Sequence, residues 1–351
     1  GVPTARCPAQ RVTWNTSSAS NVAVGEPTTR RPALGRLIDV TRSAGFEIEP
    51  TDERRIGILL HPARPEAVDV AVQFVQGMMA HGIVCVGTGE RIAELQQRLS
   101  RPPINRVAAS ELGDLELMVV FGGDGTILRA AERVVPLGVP LLGVNLGHVG
   151  FLAELESHDV EQLVDQVAGR NYFVEQRVTL AIEVLDAAGQ QQWCSFAINE
   201  VSLEKAAREK MLDLLVEIDR LPVSRWGCDG ILVSTPTGST AYAFSLGGPV
   251  VWPDVEAFLV VPMAAHALFA RPLVLDPDSL VELSLSSQSS SRAMVWCDGR
   301  RSVELDPGYR VRVRRGAHNL RVARLQEQPF TSRLVKKFDL NIDGFRGPGR
   351  S

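Results

Sequence analysis

A glycine-rich loop directly after an apolar run is the feature that most constrains this chain. Residues 115–121 are mostly apolar and predict a buried strand, and residues 127–135 resume with helical spacing. Glycines in such a loop let backbone N–H groups approach a phosphate, and the N-terminus of the following helix adds favourable partial charge. The pattern therefore predicts a phosphate-binding loop. Its residues are Gly122, Gly123, Asp124, Gly125 and Thr126.

The acidic residue of this loop, Asp124, needs its own explanation because a carboxylate repels phosphate. Two chemical roles fit: it holds a metal ion, or it accepts a proton from a hydroxyl that attacks the phosphate. The structural alternative is a tight turn in which Asp124 caps the helix. Other phosphate loops fit less well: no Gly-x4-Gly-Lys-Ser/Thr occurs, and Leu128 stands at the third glycine of Gly-x-Gly-x-x-Gly.

Strands and helices alternate over the first part of the chain. This alternation predicts a doubly wound, mostly parallel α/β domain, assigned to residues 54–155. Ligands of such sheets bind at the carboxyl ends of the strands, which is where the glycine loop falls. The predicted strands are residues 55–60, 83–86, 115–121 and 139–144, and the predicted helices are residues 66–81 and 88–99, with Thr88 as the cap of the second.

From residue 172 the pattern changes to short strands separated by polar or glycine turns. We assign residues 156–325 to a second, β-rich domain. The sequence after it regains helical spacing at residues 327–338, and we expect residues 326–345 to pack back on the first domain. The predicted strands are residues 178–185, 193–203, 212–218, 230–234, 258–261, 280–285, 293–297, 309–313 and 320–325.

Composition bounds the function. A net charge of −4 gives no electrostatic case for a nucleic-acid partner. No stretch is long and apolar enough for a membrane helix, so no membrane partner is expected. The five cysteines are scattered without a Cys-x-x-Cys pair, which argues for reduced thiols in a cytoplasmic protein and against a zinc site. The first 46 residues hold six arginines against Glu26 and Asp39, a composition that a transit peptide also has. No apolar period appears before Ile56, and we expect residues 1–53 to be a flexible tail.

A second glycine-rich segment, residues 143–152, marks another close approach of the backbone to a ligand or to a neighbouring strand. It contains His148, which either contacts phosphate or is an ordinary structural or exposed histidine.

Two further polar signals interrupt apolar strands. Asn199 and Glu200 lie within the apolar run 197–201, and an amide beside a carboxylate suits ribose hydroxyls or an adenine edge. Their side chains point to opposite faces unless the strand bulges, so one of them faces a ligand and the other is structural. The run 227–249 is rich in hydroxyls, which suits a phosphorylated ligand or, alternatively, a turn that opens a helix. No histidine lies near Ser239, which argues against a covalent hydrolase. The hydroxyl residues are Ser234, Thr235, Thr237, Ser239 and Thr240.

With these motifs in hand, the chain resembles the NAD kinase family, most closely its actinobacterial type. Three motifs match in order: the glycine loop, Asn199-Glu200, and Asp229-Gly230 continuing to the run 237–242 (Thr-Gly-Ser-Thr-Ala-Tyr). The similarity extends over residues 55–344. The glycine loop alone is shared with diacylglycerol, sphingosine and, loosely, phosphofructokinase-type kinases, whereas the other two motifs are more specific.

The resemblance implies phosphorylation of the 2′-hydroxyl of the adenosine ribose of NAD⁺, with ATP or polyphosphate as donor and Mg²⁺ as cofactor. It implies that Asp124 accepts the hydroxyl proton, that the glycine loop handles the donor and that Arg129 neutralises phosphate charge. It further implies an α/β domain joined to a β-sandwich-like domain. It also implies a homo-oligomer, a dimer or tetramer, in which a neighbouring subunit contributes residues to each site. The NAD-binding residues it implies are Asp124, Gly125, Arg129, Asn199, Glu200, Lys210, Asp229, Thr240, Ala241, Tyr242, Ser245, Ala264 and Arg300.

Two departures from the family pattern stand out. Arg300 occupies a position where many relatives carry glutamine, so its contact loses an acceptor. Gly227 stands where many carry arginine, so that charge is absent.

Rival functions explain less of the sequence. A lipid or sphingoid kinase is expected to have a membrane-docking surface, and no such segment is evident. A sugar kinase of the phosphofructokinase type leaves the second and third motifs unexplained. A non-catalytic NAD(P)-binding regulator has little use for Asp124.

Overall fold

The structure is a computed structural model that describes residues 53–99, 104–106, 112–146, 150–156, 160–207, 210–267, 269–289 and 291–340. These residues belong to one compact unit, residues 52–351. Nearly all of the predicted tail and the predicted His148 lie outside the described residues. No described helix is long and apolar enough to cross a membrane.

The first part of the chain forms a largely parallel sheet of eight strands. Its order is β3-β2-β1-β4-β5-β20-β7, with β6 paired to β5, and only the β7–β20 pair is antiparallel. The strands are β1 (Arg55–Leu60), β2 (Val84–Gly87), β3 (Asn105–Arg106), β4 (Leu117–Phe121), β5 (Leu141–Asn145), β6 (Ala153–Glu156), β7 (Phe173–Arg177) and β20 (Leu320–Arg324).

Helices cover both faces of this sheet, which explains why every residue of β4 and β5 is buried. Apolar side chains of α1, α2 and α4 pack on one face and those of α3 on the other. A short 3₁₀ turn, Val135–Leu137, follows α3. The helices are α1 (Glu66–Ala80), α2 (Ile92–Arg98), α3 (Asp124–Val134) and α4 (Val160–Ala168).

The second part is a sandwich of two antiparallel six-stranded sheets, ordered β15-β14-β13-β10-β17-β18 and β12-β11-β16-β19-β8-β9. One apolar core draws residues from both sheets. The strands are β8 (Leu180–Leu185), β9 (Gln191–Ala197), β10 (Glu200–Lys205), β11 (Leu212–Ile218), β12 (Leu221–Cys228), β13 (Gly230–Ser234), β14 (Phe258–Met263), β15 (Leu273–Leu275), β16 (Val281–Leu285), β17 (Ala293–Cys297), β18 (Arg301–Leu305) and β19 (Arg310–Arg315).

The pattern of buried residues along each strand shows which faces of the sandwich are covered. Strands β11, β16 and β19 alternate buried and half-exposed residues, as expected for a sheet with one solvated face. Strand β13 is buried throughout, because a smaller apolar cluster packs on its outer face. That cluster includes Ala243 of the short helix α5 (Tyr242–Ser245), which follows a 3₁₀ turn at Thr237–Thr240.

The fold class predicted from the sequence is confirmed, an α/β part followed by antiparallel sheets. Strands β7 and β20, from either end of the β-rich segment, join the first sheet. The last helix, α6 (Phe330–Phe338), contacts Phe151 through Phe330, Phe338 and Arg333. The domain boundaries themselves stay a prediction.

Two element predictions were wrong in detail. Helix α2 begins at Ile92 rather than at Thr88, whose hydroxyl instead accepts a hydrogen bond from Arg133 at 2.7 Å. The single strand predicted over residues 193–203 is two strands, because the chain leaves one sheet of the sandwich after β9 and enters the other at β10.

One ion-pair network fastens the first sheet to α4. Arg54 forms two hydrogen bonds of 2.7 Å with the carboxylate of Glu116 and also donates to the carbonyls of Val167 and Ala168. Tyr172 donates to the same carboxylate at 2.9 Å. Although burial opposes it, these hydrogen bonds lower the pKa of Glu116 to about 2.

We expect Glu116→Gln to lower the free energy of unfolding at pH 7 by about 1–3 kcal/mol. A carboxyl group with a lowered folded-state pKa stabilises the fold above its unfolded pKa. The difference from the parent protein is therefore expected to shrink as pH falls from about 4.5 towards 2. Urea unfolding at pH 7 and pH 3 measures it. Glu94→Gln is the control and should change little, because the Glu94 side chain is 44% exposed and its ion pair with Arg91 is local.

Candidate active site

The glycine loop lies between β4 and α3, at the carboxyl edge of the first sheet. The N–H of Gly122 donates to the carbonyl of Val144 at 2.9 Å, which fixes the loop against β5. A Cβ at Gly123 or Gly125 would meet no protein atom within 4 Å, and Gly123 has an ordinary φ of −84°. Packing and backbone strain therefore do not require these glycines. The space they leave is available to a ligand.

The carboxylate of Asp124 does not cap its own helix. Gly123 occupies the N-cap position, and no side-chain cap bond is present there. The carboxylate instead accepts hydrogen bonds from the N–H groups of Phe151 at 3.1 Å and Leu152 at 3.2 Å. A Cβ at Gly150 would lie 2.3 Å from Asp124 Oδ1, so a glycine is needed for this approach. The turn-and-cap interpretation of Asp124 is therefore wrong.

A basic cleft of about 280 Å³ opens beside the loop. Its lining brings together three arginines and a histidine from three separate parts of the sequence, with no acidic side chain among the described lining residues. The lining residues are His61, Pro62, Arg64, Gly123, Gly125, Thr126, Arg129 and Arg300.

The cations of this cleft differ in how they are held. Arg129 has no hydrogen bond or ion pair among the residues that the structure describes, Arg64 donates to the carbonyl of Leu146 at 3.3 Å, and Arg300 pairs with Glu132 at 2.8 Å. The predicted dinucleotide contact Arg300 thus lies in the basic cleft beside Arg129.

His61 is a neutral donor at pH 7. Burial, with the nearby Arg64 and Arg129, lowers its pKa. Its Nδ1 accepts hydrogen bonds of 3.1 Å from the N–H groups of Ala63 and Arg64, so Nε2 carries the proton. The sequence prediction missed both His61 and Arg64. Their signal was position, because they follow β1, the neighbour of β4, at the carboxyl edge of the sheet.

A second cleft, of about 460 Å³, lies over β10 and is lined by carboxylates and aromatic rings. Glu200 is buried there and its Oε2 has no hydrogen-bond partner in the described structure. Burial, with the nearby Asp298, raises the pKa of Glu200 to about 8, although the N–H of Tyr242 opposes this. Glu200 therefore carries a proton at pH 7 and is able to donate to a ligand.

Asp298 builds the corner that presents Glu200. Its carboxylate accepts the N–H of Ile198 at 3.0 Å and that of Asn199 at 2.7 Å, and Arg301 donates to it at 2.8 Å. These bonds hold the break between β9 and β10, where the side chain of Asn199 is half-buried. The sequence prediction missed Asp298, two residues before Arg300, because the backbone groups that it binds, those of Ile198 and Asn199, are distant in the sequence.

Three of the five hydroxyls between residues 234 and 240 are structural. Ser234 donates to the carbonyl of Asn199 at 3.1 Å, and Thr235 donates to that of Ile198 at 2.6 Å. Ser239 donates to the carbonyl of Val251 at 3.2 Å. These three side chains are buried, whereas Thr237 and Thr240 are half-buried. These three hydroxyls therefore brace the Asn199 corner, and of the five only Thr237 and Thr240 are partly accessible to a ligand.

The remaining predicted residues come from several elements of the sandwich, and Tyr242 is the one of them that lines the second cleft. Tyr242 lines it with a ring that is 40% exposed. Asp229 pairs with Lys205 at 2.5 Å, a partner that the sequence did not suggest. Ala264 adopts a φ of +45°, which turns the chain after β14. The half-buried Ala241 lies next to Tyr242, Ser245 is the exposed last residue of α5, and Lys210 is exposed before β11.

Comparison with known proteins identifies the family to which this chain belongs. Family models of the ATP-NAD kinase N-terminal and C-terminal domains match residues 56–172 and 198–325. A NAD kinase of Cutibacterium acnes is 52% identical over 306 residues, covering 87% of this chain and 96% of the relative. The chain belongs to the NAD kinase family. A family member named NAD kinase 2, from Streptomyces coelicolor, is 48% identical and covers 84% and 97%.

Solved structures of the family share the fold. Yeast NADH kinase, solved with NADH, has a TM-score of 0.75 at 23% identity and covers 83% of this chain and 89% of its own. A NAD kinase from Archaeoglobus fulgidus, solved with ATP, has a TM-score of 0.62 at 24% identity and covers 82% and 100%. The predicted family, its actinobacterial type and the activity, phosphorylation of NAD to NADP, are confirmed.

We expect Gly125→Ala to separate binding from folding. Alanine is favoured over glycine in a helix, and its methyl group would meet no protein atom, so stability should be unchanged or higher by up to about 1 kcal/mol. The methyl group would enter the basic cleft and raise the KM for the phosphoryl donor several-fold. Thermal unfolding and initial rates measure both. An unchanged donor KM would contradict a role for this space in donor binding.

We expect the effect of Glu200→Gln on the free energy of unfolding to depend on pH in the opposite sense to that of Glu116→Gln. A raised folded-state pKa means that the unfolding free energy falls as pH rises from about 4.5 to about 8. Glutamine cannot ionise, so the variant should lack this fall and be more stable than the parent at pH 8.5 by on the order of 1–3 kcal/mol. Urea unfolding at pH 6 and 8.5 tests this. Glu204→Gln, on the same strand, is the control, and an equal effect there would refute the assignment.

Proposed function

We propose that this chain transfers the terminal phosphoryl group of Mg-ATP to the 2′-hydroxyl of the adenosine ribose of NAD⁺, with Asp124 as the proton acceptor. The observation that carries the proposal is the position of the Asp124 carboxylate. Backbone amides of Phe151 and Leu152 hold it, and the two glycines that flank it in the chain, Gly123 and Gly125, line the basic cleft and leave room for phosphate.

The basic cleft suits the phosphoryl donor. Phosphoryl transfer asks a protein chiefly for positioning and for neutralisation of the charge on the transferred group. Arg129 lacks an internal partner among the described residues, so it can pair with phosphate without first breaking an ion pair. Neutral His61 adds an N–H donor, and the backbone of Gly123 and Gly125 is open to the same space.

The second cleft suits the adenosine end of NAD⁺. Protonated Glu200 offers a donor on its unpaired oxygen, which suits an acceptor on an adenine edge or a ribose hydroxyl. Tyr242 presents an exposed ring on which a base can stack. The turn 298–300 joins the two clefts, since Asp298 lines the adenosine cleft and Arg300 lines the basic one. Donor and acceptor would therefore approach each other at this turn.

The carboxylate of Asp124 keeps acceptor capacity for the substrate proton. An ionised carboxylate has about four lone-pair sites, and the amides of Phe151 and Leu152 use two. The two amides also fix its orientation, so no side-chain reorganisation is required when the hydroxyl arrives. A hydroxyl hydrogen-bonded to this carboxylate would lose its proton to it as the bond to phosphorus forms.

Magnesium would enter with the donor. No cluster of three or more histidine, cysteine or acidic side chains in the described part of the chain is arranged to hold a metal. Asp124 is the only acid in the loop, which fits Mg²⁺ bound mainly by donor phosphates and water. The ion would neutralise charge on the donor phosphates.

Several finer features belong to the same proposal. Polyphosphate is an alternative donor, because the basic cleft offers charge and backbone amides rather than a nucleoside pocket. We also propose a homo-oligomer, a dimer or tetramer, that works in the cytoplasm. Free thiols at Cys85, Cys194, Cys228 and Cys297 fit a reducing compartment.

We expect Asp124→Asn to bind NAD⁺ but to lose about 10²–10⁴-fold in kcat, because the amide cannot accept the proton. NADP⁺ formation from NAD⁺ and Mg-ATP, read through an NADP-specific dehydrogenase, measures the loss. Calorimetry with NAD⁺ shows that the binding site is intact. Near-normal turnover in the variant would refute the role of Asp124.

The same assay separates the rival functions. Product with polyphosphate but not with ATP would keep the acceptor and change the donor. Binding of NAD⁺ without product from either donor would favour a regulator. Phosphorylation of a lipid or sugar in place of NAD⁺ would overturn the proposal.

A further inference from the structure

A cavity of about 80 Å³ lies beside residues 151–152 and apart from the two clefts described above. A cavity needs only about 10–15 Å³ to hold one water, so this one has room for several waters or one phosphate-sized group. Three arginines line it, one from β7, one from β20 and one from α6. Its polar lining includes Glu175, Arg177, Thr237, Thr240, Arg324 and Arg333.

Arg177 is the unusual member of this lining. Its side chain is only 9% exposed, and of its three guanidinium nitrogens only Nη2 is paired, with Glu175 at 2.5 Å. Nε and Nη1 have no hydrogen-bond partner among the described residues. A buried N–H donor left unpaired destabilises the fold, and more so when it is charged. The geometry therefore calls for an acceptor that the described protein atoms do not supply.

The charge in the cavity also favours an anion. Although burial opposes it, Arg324 and Arg177 lower the pKa of Glu175, so this carboxylate is ionised and shared between the two. Asp254 also lines the cavity but is exposed, and water screens its charge. Among the described residues, Glu175 takes up only Nη2 of Arg177, which leaves Nε and Nη1 open to an anion.

The other two arginines bind the backbone segment that also holds Asp124. Arg333 donates to the carbonyl of Phe151 at 3.0 Å, and Arg324 donates to that of Leu152 at 3.2 Å. The N–H groups of the same two residues hold the carboxylate of Asp124. The cavity and the catalytic carboxylate therefore share one stretch of backbone.

We propose that this cavity binds a single phosphate-class oxyanion, which accepts hydrogen bonds from Nε and Nη1 of Arg177. The half-buried hydroxyl of Thr237 lines the same cavity and adds a donor, whereas that of Thr240 donates to the carbonyl of Thr237 at 3.4 Å. Two sources fit this chemistry: free inorganic phosphate, or a phosphoryl group of the dinucleotide, since Thr240 is also a predicted NAD⁺ contact. The site goes beyond the proposed function, and its occupation is measurable without turnover.

The test is calorimetric titration of the full chain with inorganic phosphate at constant ionic strength, with Arg177→Met and Arg129→Met beside the parent. We expect two phosphate sites in the parent. Arg129→Met should weaken the site in the basic cleft, and Arg177→Met should weaken the other at least ten-fold. Arg314→Met, an exposed arginine in a surface ion pair, is the control. Unchanged phosphate binding by Arg177→Met, or an equal loss in Arg314→Met, would overturn the proposal.

Arg177→Lys keeps the test usable if the methionine variant does not fold. Lysine retains the charge beside Glu175 but lacks the planar fork, so it should bind phosphate more weakly than the parent while unfolding at a similar temperature. Parent-like phosphate affinity in this variant would contradict the assigned donors.

Repeating the titration with saturating NAD⁺ distinguishes the two sources. Loss of the Arg177-dependent site would mean that a phosphoryl group of the dinucleotide fills it, and persistence would mean a free anion. Absence of NADP⁺ formation would leave this result unaffected, so the two proposals fail separately.

Discussion

Two backbone N–H groups, those of Phe151 and Leu152, decide where the carboxylate of Asp124 points, and the proposed chemistry depends on them. A carboxylate that opens a helix would ordinarily turn back to cap it. Here the hydrogen bonds come from a segment that follows β5, and Gly150 leaves the space for the approach. Arg324 and Arg333 bind the carbonyls of the same segment. Two arginines late in the chain therefore stabilise the segment that orients Asp124.

The break between β9 and β10 is held in the same way, by hydrogen bonds from residues distant in the sequence. The chain passes from one sheet of the sandwich to the other at Ile198 and Asn199, and the buried carboxylate of Asp298 accepts both N–H groups exposed by that break. Ser234 and Thr235 satisfy the corresponding carbonyls. With the backbone fully paired, Glu200 is left with an unpaired oxygen facing the cleft. Burial is unfavourable for an ionised carboxylate with only a structural role. At Glu200 it keeps the carboxyl group protonated and able to donate to a ligand.

Local signals in the sequence predicted much of this arrangement, and long-range contacts account for what they missed. The change in apolar period from residue 172 was enough to predict an α/β part followed by a β-rich part. The glycine loop and the Asn199 motif were visible because their residues are adjacent in the chain. His61 and Arg64 were missed because strand order alone brings them to the loop. The roles of Ser234 and Ser239 differ from expectation because burial turned their hydroxyls inward, which no hydroxyl count reveals.

The most direct test of the account is a crystal structure of the chain with NAD⁺ and a non-hydrolysable ATP analogue. The account predicts the adenosine 2′-oxygen within hydrogen-bond reach of Asp124, about 2.6–3.2 Å from one carboxylate oxygen, with the terminal phosphate of the analogue beside Arg129. It also predicts the adenine against Glu200 and Tyr242. A 2′-oxygen out of reach of Asp124, with the terminal phosphate seated elsewhere, would contradict the central claim.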